Sequence, residues 1–157
     1  MQCHVLLIAA TLLVRITATA APQKPDFTGD WVLNRQASTL SPAMAGVGSG
    51  SLHIDQHEGN VRVRLTLIAD GKPFETGYDR PADGREVTDT QQGRTTVSSL
   101  RLNATALVFT AVSKSSASEG SISVRYELEE GGRRLRAVEQ IRGAGRDQDN
   151  VWMFDRR

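Results

Sequence analysis

From residue 51 to the last residue, apolar and polar side chains alternate in short runs, and glycine-containing turns separate the runs. A period of two turns one face of each run toward a core and the other toward water, so the runs read as half-buried strands. The ends of this array match one another. Phe27-Thr28-Gly29-Asp30-Trp31-Val32-Leu33 stands at the head and Val151-Trp152-Met153-Phe154-Asp155-Arg156-Arg157 at the tail. A Gly-x-Trp opening strand and an aromatic closing strand with an arginine predict a sheet that meets itself. Closure removes edges that would otherwise be prone to aggregation. No sustained 3.6-residue period follows the N-terminal apolar run, and the array amounts to about nine or ten strands in meander order. The expected fold class is all-β: a single antiparallel up-and-down β-barrel.

Turn residues predict the pairing. With Gly59-Asn60 as a two-residue loop, Gln56 faces Val63, Ile54 faces Leu65 and Leu52 faces Leu67, while Asp55 lies opposite Arg64 on the charged face. Asp70-Gly71 sets Leu67 against Phe74, Leu65 against Thr76 and Val63 against Tyr78. Pro81-Ala82-Asp83-Gly84 turns the chain again, and 85–90, 94–102 and 106–112 follow as strands. Gly131-Gly132 joins 121–129 to 133–141, pairing Leu128 with Leu135, Tyr126 with Ala137 and Ile122 with Ile141. On the other face of that hairpin Glu129 meets Arg134 and Glu127 meets Arg136. The Arg133–Arg136 run is therefore a solvated outer face, not a nucleic-acid patch. The segment 34–50, rich in Ser, Gly and Pro, is expected to be a loop, either a lid across one mouth or a plain connector.

Residues 1–20 have the form of a secretory signal peptide. The apolar run Val5–Val14 is too short to span a bilayer, and Ala18-Thr19-Ala20 offers a small-x-small cleavage site. The expected mature domain is 21–157, secreted or periplasmic, with no stable membrane span after cleavage. Loss of Arg15 leaves equal numbers of basic and acidic residues, so no charge excess points to nucleic acid. The single cysteine, Cys3, leaves with the leader, and stability must come from packing and sheet hydrogen bonds.

The chain resembles the calycin barrels, meaning the lipocalins and fatty-acid-binding proteins. It is most similar to the small exported lipocalin-like proteins of bacteria. The residues that carry the resemblance are Gly29-Asp30-Trp31, Asp70-Gly71-Lys72-Pro73, Tyr78-Asp79 before Pro81-Ala82-Asp83-Gly84, and Val151–Arg156. The resemblance implies a small hydrophobic or amphipathic ligand inside the barrel, although some members of such families have no known ligand. It also implies structural roles for Gly29, for Trp31 as the plug of the closed end, and for Arg156 stacked on it. Fatty-acid-binding proteins hold a carboxylate with an Arg-x-Tyr pair on the last strand. Trp152 and Phe154 take those positions here, so that anionic anchor is absent.

Strand register puts Leu65, Leu67, Phe74, Tyr78, Phe109, Tyr126 and Leu128 on the expected cavity wall, with small Thr76, Thr96, Ser98 and Ala137 between them. Glu139 falls on the same face. A carboxylate there must lie near a mouth, be paired, or serve a ligand. His53, Asp55 and His57 share a face and are chemically adequate metal ligands, but Arg62 and Arg64 compete for that face, so no metal is expected. No cofactor is expected, and no catalytic set stands out, because the only histidines after the leader are His53 and His57. The expected function is binding of an apolar or amphipathic molecule. The alternatives are a filled-barrel interaction or envelope-structural module, and a barrel isomerase or cyclase using Glu139 and Tyr126.

Overall fold

The computed structural model describes residues 24–157 apart from Ala144. The expected signal peptide at 1–20 lies outside the described residues. The strands are β1 (Gly29–Leu33), β2 (Val47–His57), β3 (Asn60–Ala69), β4 (Lys72–Pro81), β5 (Asp83–Gln91), β6 (Arg94–Leu102), β7 (Ala106–Lys114), β8 (Glu119–Glu129), β9 (Arg134–Arg142) and β10 (Gln148–Arg156). All pair antiparallel, in the order β4-β3-β2-β1-β10-β9-β8-β7-β6-β5. Short 3-10 turns cover Pro42–Met44 and Glu130–Gly132. This is the up-and-down barrel that the alternation predicts. Among the described residues, no helix is long and apolar enough to cross a membrane.

Two hairpin registers fall as read from the turns. Leu67 pairs with Phe74 and Val63 with Tyr78; Leu128 pairs with Leu135 and Tyr126 with Ala137. The β2–β3 register differs from expectation by two residues. Gln56 faces Val61, Ile54 faces Val63, Leu52 faces Leu65, and Asp55 faces Arg62. The loop is Glu58-Gly59, with φ 49° and 84°. Asp70-Gly71 and Gln92-Gly93 repeat that pattern, with glycine second in each pair. Two successive positive φ values define the turn whose twist suits a two-residue hairpin.

The barrel has a closed end and a mouth. Phe27, Trp31, Val61, Leu100, Leu107 and Leu135 fill the closed end, all fully buried. There β1 meets β10, with Trp31 directly opposite Arg156. The Arg156 guanidinium carbon lies 4.2 Å from the centroid of the Trp31 ring. Its Nη1 donates to the Thr28 carbonyl and its Nε to that of Gly132, both at 2.8 Å. Gly29 has φ +153°, and a Cβ there would sit 2.7 Å from Arg156 Nη1, so glycine lets the backbone take this conformation under the guanidinium without strain.

At the mouth, the early part of 34–50 lies beside β10 and its later part joins β2. Thr39 bridges to Val151, and Leu40 and Met44 pack against the core. The segment therefore covers the β10 side of the mouth.

The wall has one seam. β4 and β5 are consecutive in the chain yet are not hydrogen-bonded partners. At the corner between them Ala82 N–H donates to the Gly59 carbonyl and Leu102 N–H to that of Ala82, tying the corner to the β2–β3 turn and to the end of β6. Beyond the corner the strands part.

Candidate functional site

Pairing fixes which side chains enter the barrel. Residues directly opposite each other share a face, and Val61, Val63 and Leu67 are buried. Their β4 partners Arg80, Tyr78 and Phe74 therefore face inward. By the same rule Asp89 and Thr96 point in beside Ser98, which is 3% exposed.

The seam is a hollow of 420 Å³ lined by Arg80, Asp89, Gln91, Arg94 and Thr96. Arg80 spans it. Its guanidinium pairs with Asp89 of β5, and its Nε donates to Ser98 Oγ of β6 at 3.2 Å. Behind this polar lip the rings of Tyr78 and Phe109 stack, with centroids 4.0 Å apart and planes within 5°. Tyr78 also donates its hydroxyl to that of Tyr126 at 3.4 Å.

Tyr126 in turn lines an apolar cavity of about 30 Å³. Leu52, Leu65, Val124, Ala137, Trp152 and Phe154 line it, with Tyr126 and Glu139 as its polar groups. Burial pushes the Tyr126 phenol up to about 12; the bond from Tyr78 opposes this and the charge of Glu139 adds to it. Burial likewise raises Tyr78 well above the ordinary phenol value, and Tyr126 beside it adds to the shift. Both hydroxyls stay protonated across the neutral range.

Glu139 is not stranded. Asn150 Nδ2 donates to its Oε2 at 2.8 Å and Trp152 Nε1 donates to the same oxygen at 3.0 Å. Asn150 is almost completely buried, and its Oδ1 accepts from the Ser41 backbone N–H at 2.7 Å. Of the residues expected on the cavity wall, the structure brings Leu65, Tyr126 and Glu139 together. Leu67 is buried elsewhere in the core, Leu128 is partly buried against it, and Tyr78 and Phe109 form the stack. Phe74 faces inward, yet 57% of its surface is exposed, on a strand that has no partner on the seam side. Thr76, on the same strand, is exposed too. Leu52, Val124, Trp152 and Phe154 also line the cavity, and Asn150 holds Glu139, none of them among the expected wall residues. The β9–β10 pairing, which sets Asn150 opposite Glu139, was not readable from a two-residue turn.

Outside the barrel, charges face one another. His53 pairs with Asp30, His57 with Glu58 and Arg62 with Asp79. Among the described residues, no group of three or more His, Cys, Asp or Glu side chains is placed to hold a metal ion. Arg136 reaches Glu127, whereas Arg134 reaches Glu130 and Asp155 rather than Glu129.

No family model and no curated protein matches the sequence. Solved structures do match in shape. A secretory abundant heat soluble protein from Ramazzottius varieornatus superposes with a TM-score of 0.56 at 10% identity, over 83% of this chain and 94% of that one. The shared fold is the antiparallel up-and-down β-barrel. Secretory abundant heat soluble protein 4 of the same organism gives 0.54 at 17% identity, over 88% of this chain and 99% of that one. A mutant of the REP1-NXSQ fatty acid transporter gives 0.51 at 14% identity, over 83% and 98%. At such identities the likeness is one of fold.

Proposed function

We propose that this barrel binds a small apolar or amphipathic molecule, admitted along the β4–β5 seam. Phe74 carries the reading. It holds an inward position on a seam strand and is nevertheless 57% exposed. An apolar surface leading from water to an aromatic stack is one from which a ligand can expel water. The pair of Arg80 and Asp89 gives the entrance a hydrophilic rim.

The inner cavity of 30 Å³ has room for about two waters, whereas small-molecule sites run to about 300–1,000 Å³. A ligand must therefore displace the Tyr78 ring from Phe109. Such a stack contributes about 0.5–1.5 kcal/mol beyond its buried area, which ligand contacts can replace. Calorimetric titration with pyrene, an apolar probe without a head group, tests the reading. Binding should carry a negative heat-capacity change.

The small cavity favours a second reading, a filled-barrel interaction or envelope-structural module. Failure of pyrene and of amphipathic probes to bind would establish it over the first. The isomerase or cyclase reading has Tyr126 and Glu139 on one cavity in its favour. Yet a phenol at about 12 is far from the near-neutral value that suits general acid–base work.

We also take 21–157 as an exported domain, on the small-x-small site before Ala21. Terminal sequencing of exported protein should begin at Ala21; a chain still carrying Cys3 would contradict this.

A further inference from the structure

We infer that the ligand is anchored by a hydrogen-bond donor, a hydroxyl, at Glu139, and that acid-headed lipids are selected against. The inference rests on the binding reading above. It follows from which atoms around Glu139 can only give a proton and which can only take one.

The Ser41 backbone N–H can only donate, so the Asn150 side chain must turn its oxygen toward it. That leaves the Asn150 amide nitrogen facing Glu139, where it donates to Oε2. The Trp152 indole N–H has no acceptor function and donates to the same oxygen. Both local donors are thus committed to Oε2. Oε1 takes no hydrogen bond from any described residue and remains accessible, and Glu139 lines the cavity. The group presented to a ligand is an acceptor.

Tyr126 lines the same cavity. Its oxygen accepts from Tyr78, so its own proton is uncommitted. An alcohol has one proton to give and lone pairs to receive one, which matches Oε1 and Tyr126 together. An ionised carboxylic acid has no proton to give and sets a like charge against Glu139. Of the arginines at the seam, Arg80 is engaged by Asp89 and Ser98, and Arg94 lines the seam hollow rather than the cavity of Glu139.

The test is calorimetry of wild type and Glu139→Gln with dodecan-1-ol, dodecanoate and methyl dodecanoate, at mildly alkaline pH where the acid is ionised. Wild type should bind the alcohol about tenfold or more tighter than the acid, the scale of one hydrogen bond to a charged group. The methyl ester, neutral but unable to donate, should also bind more weakly than the alcohol. In Glu139→Gln, whose amide can donate, the alcohol-to-acid ratio should shrink to about threefold or less. Acid binding as tightly as alcohol, ester binding as tightly as alcohol, or an unchanged ratio in the folded variant would each overturn the inference. If circular dichroism finds Glu139→Gln unfolded, the wild-type ranking of the three probes decides. Pyrene separates the failures. Pyrene binding without an alcohol preference sinks the head-group inference alone, whereas no binding of any probe sinks the binding reading and this inference with it.

Discussion

Tyr78 lies flat against Phe109, with ring centroids 4.0 Å apart, although β4 and β7 are not neighbours in the sheet. The contact crosses the inside of the barrel, and Tyr78 continues it to Tyr126, which lines the inner cavity. Tyr78→Ala should empty the space that the ring fills between Phe109 and Tyr126. The expected cost is about 3 kcal/mol, near the low end for loss of a packed aromatic, measured by denaturant unfolding. The same variant should take up pyrene more tightly than wild type; weaker uptake would show that the stack is itself the binding surface.

The chain has two tyrosines, Tyr78 and Tyr126, and they are hydrogen-bonded to each other. Both phenols are raised in the folded state. The proton is therefore held more tightly folded than unfolded, and stability is unaffected below about pH 10. It should fall as pH rises from 10 toward about 12, by about 2–3 kcal/mol for Tyr126 alone. Spectrophotometric titration should show no tyrosinate near pH 10 in native protein and a normal transition in denaturant. A native transition near 10 would mean that the hydroxyls are not buried.

How much of this was legible in the sequence depended on what period-two alternation can record. It sorts faces, and Tyr126, Ala137 and Glu139, which it sets on one face, line one cavity. It cannot distinguish registers two residues apart, because such a slip keeps every face. Gly59 was read as the first turn residue, but the turn places it second, after Glu58. Alternation also says nothing of which strands lack a partner. Pro73 and Pro81 on β4 were the available signal, since proline has no N–H for a ladder and belongs at sheet edges. The Asn150–Glu139 contact depends on the pairing of β9 with β10 across a longer connection, which no turn dipeptide announces.

Arg80 ties β4 to β5 through Asp89 and to β6 through Ser98. Because Asp89 is half exposed, Arg80→Ala should cost only about 1 kcal/mol or less in global stability. Its effect should be local. Hydrogen exchange should accelerate in β4 and β5 while the closed-end strands β1 and β10 keep their protection. Uniform acceleration would show that the seam is not a separate unit.

Trp31, Arg156 and Gly29 form one closure unit. Trp31→Ala should cost about 3–5 kcal/mol, the range for a buried large aromatic. Gly29→Ala places a Cβ against the Arg156 guanidinium at a positive φ and should cost about 1–3 kcal/mol. Combined with Arg156→Ala, the Gly29 penalty should shrink, because the steric partner is gone. Strict additivity in a double-mutant cycle would contradict that geometry.

The most direct measurement is an NMR titration of the protein with pyrene, followed at each backbone amide. Shifts should concentrate at Leu65, Phe74, Tyr78, Phe109 and Tyr126, the path from the seam through the stack to the cavity. Shifts confined to the charged outer wall around Arg62, Arg64 and Asp79, or no shifts at saturating probe, would contradict a ligand site inside this barrel.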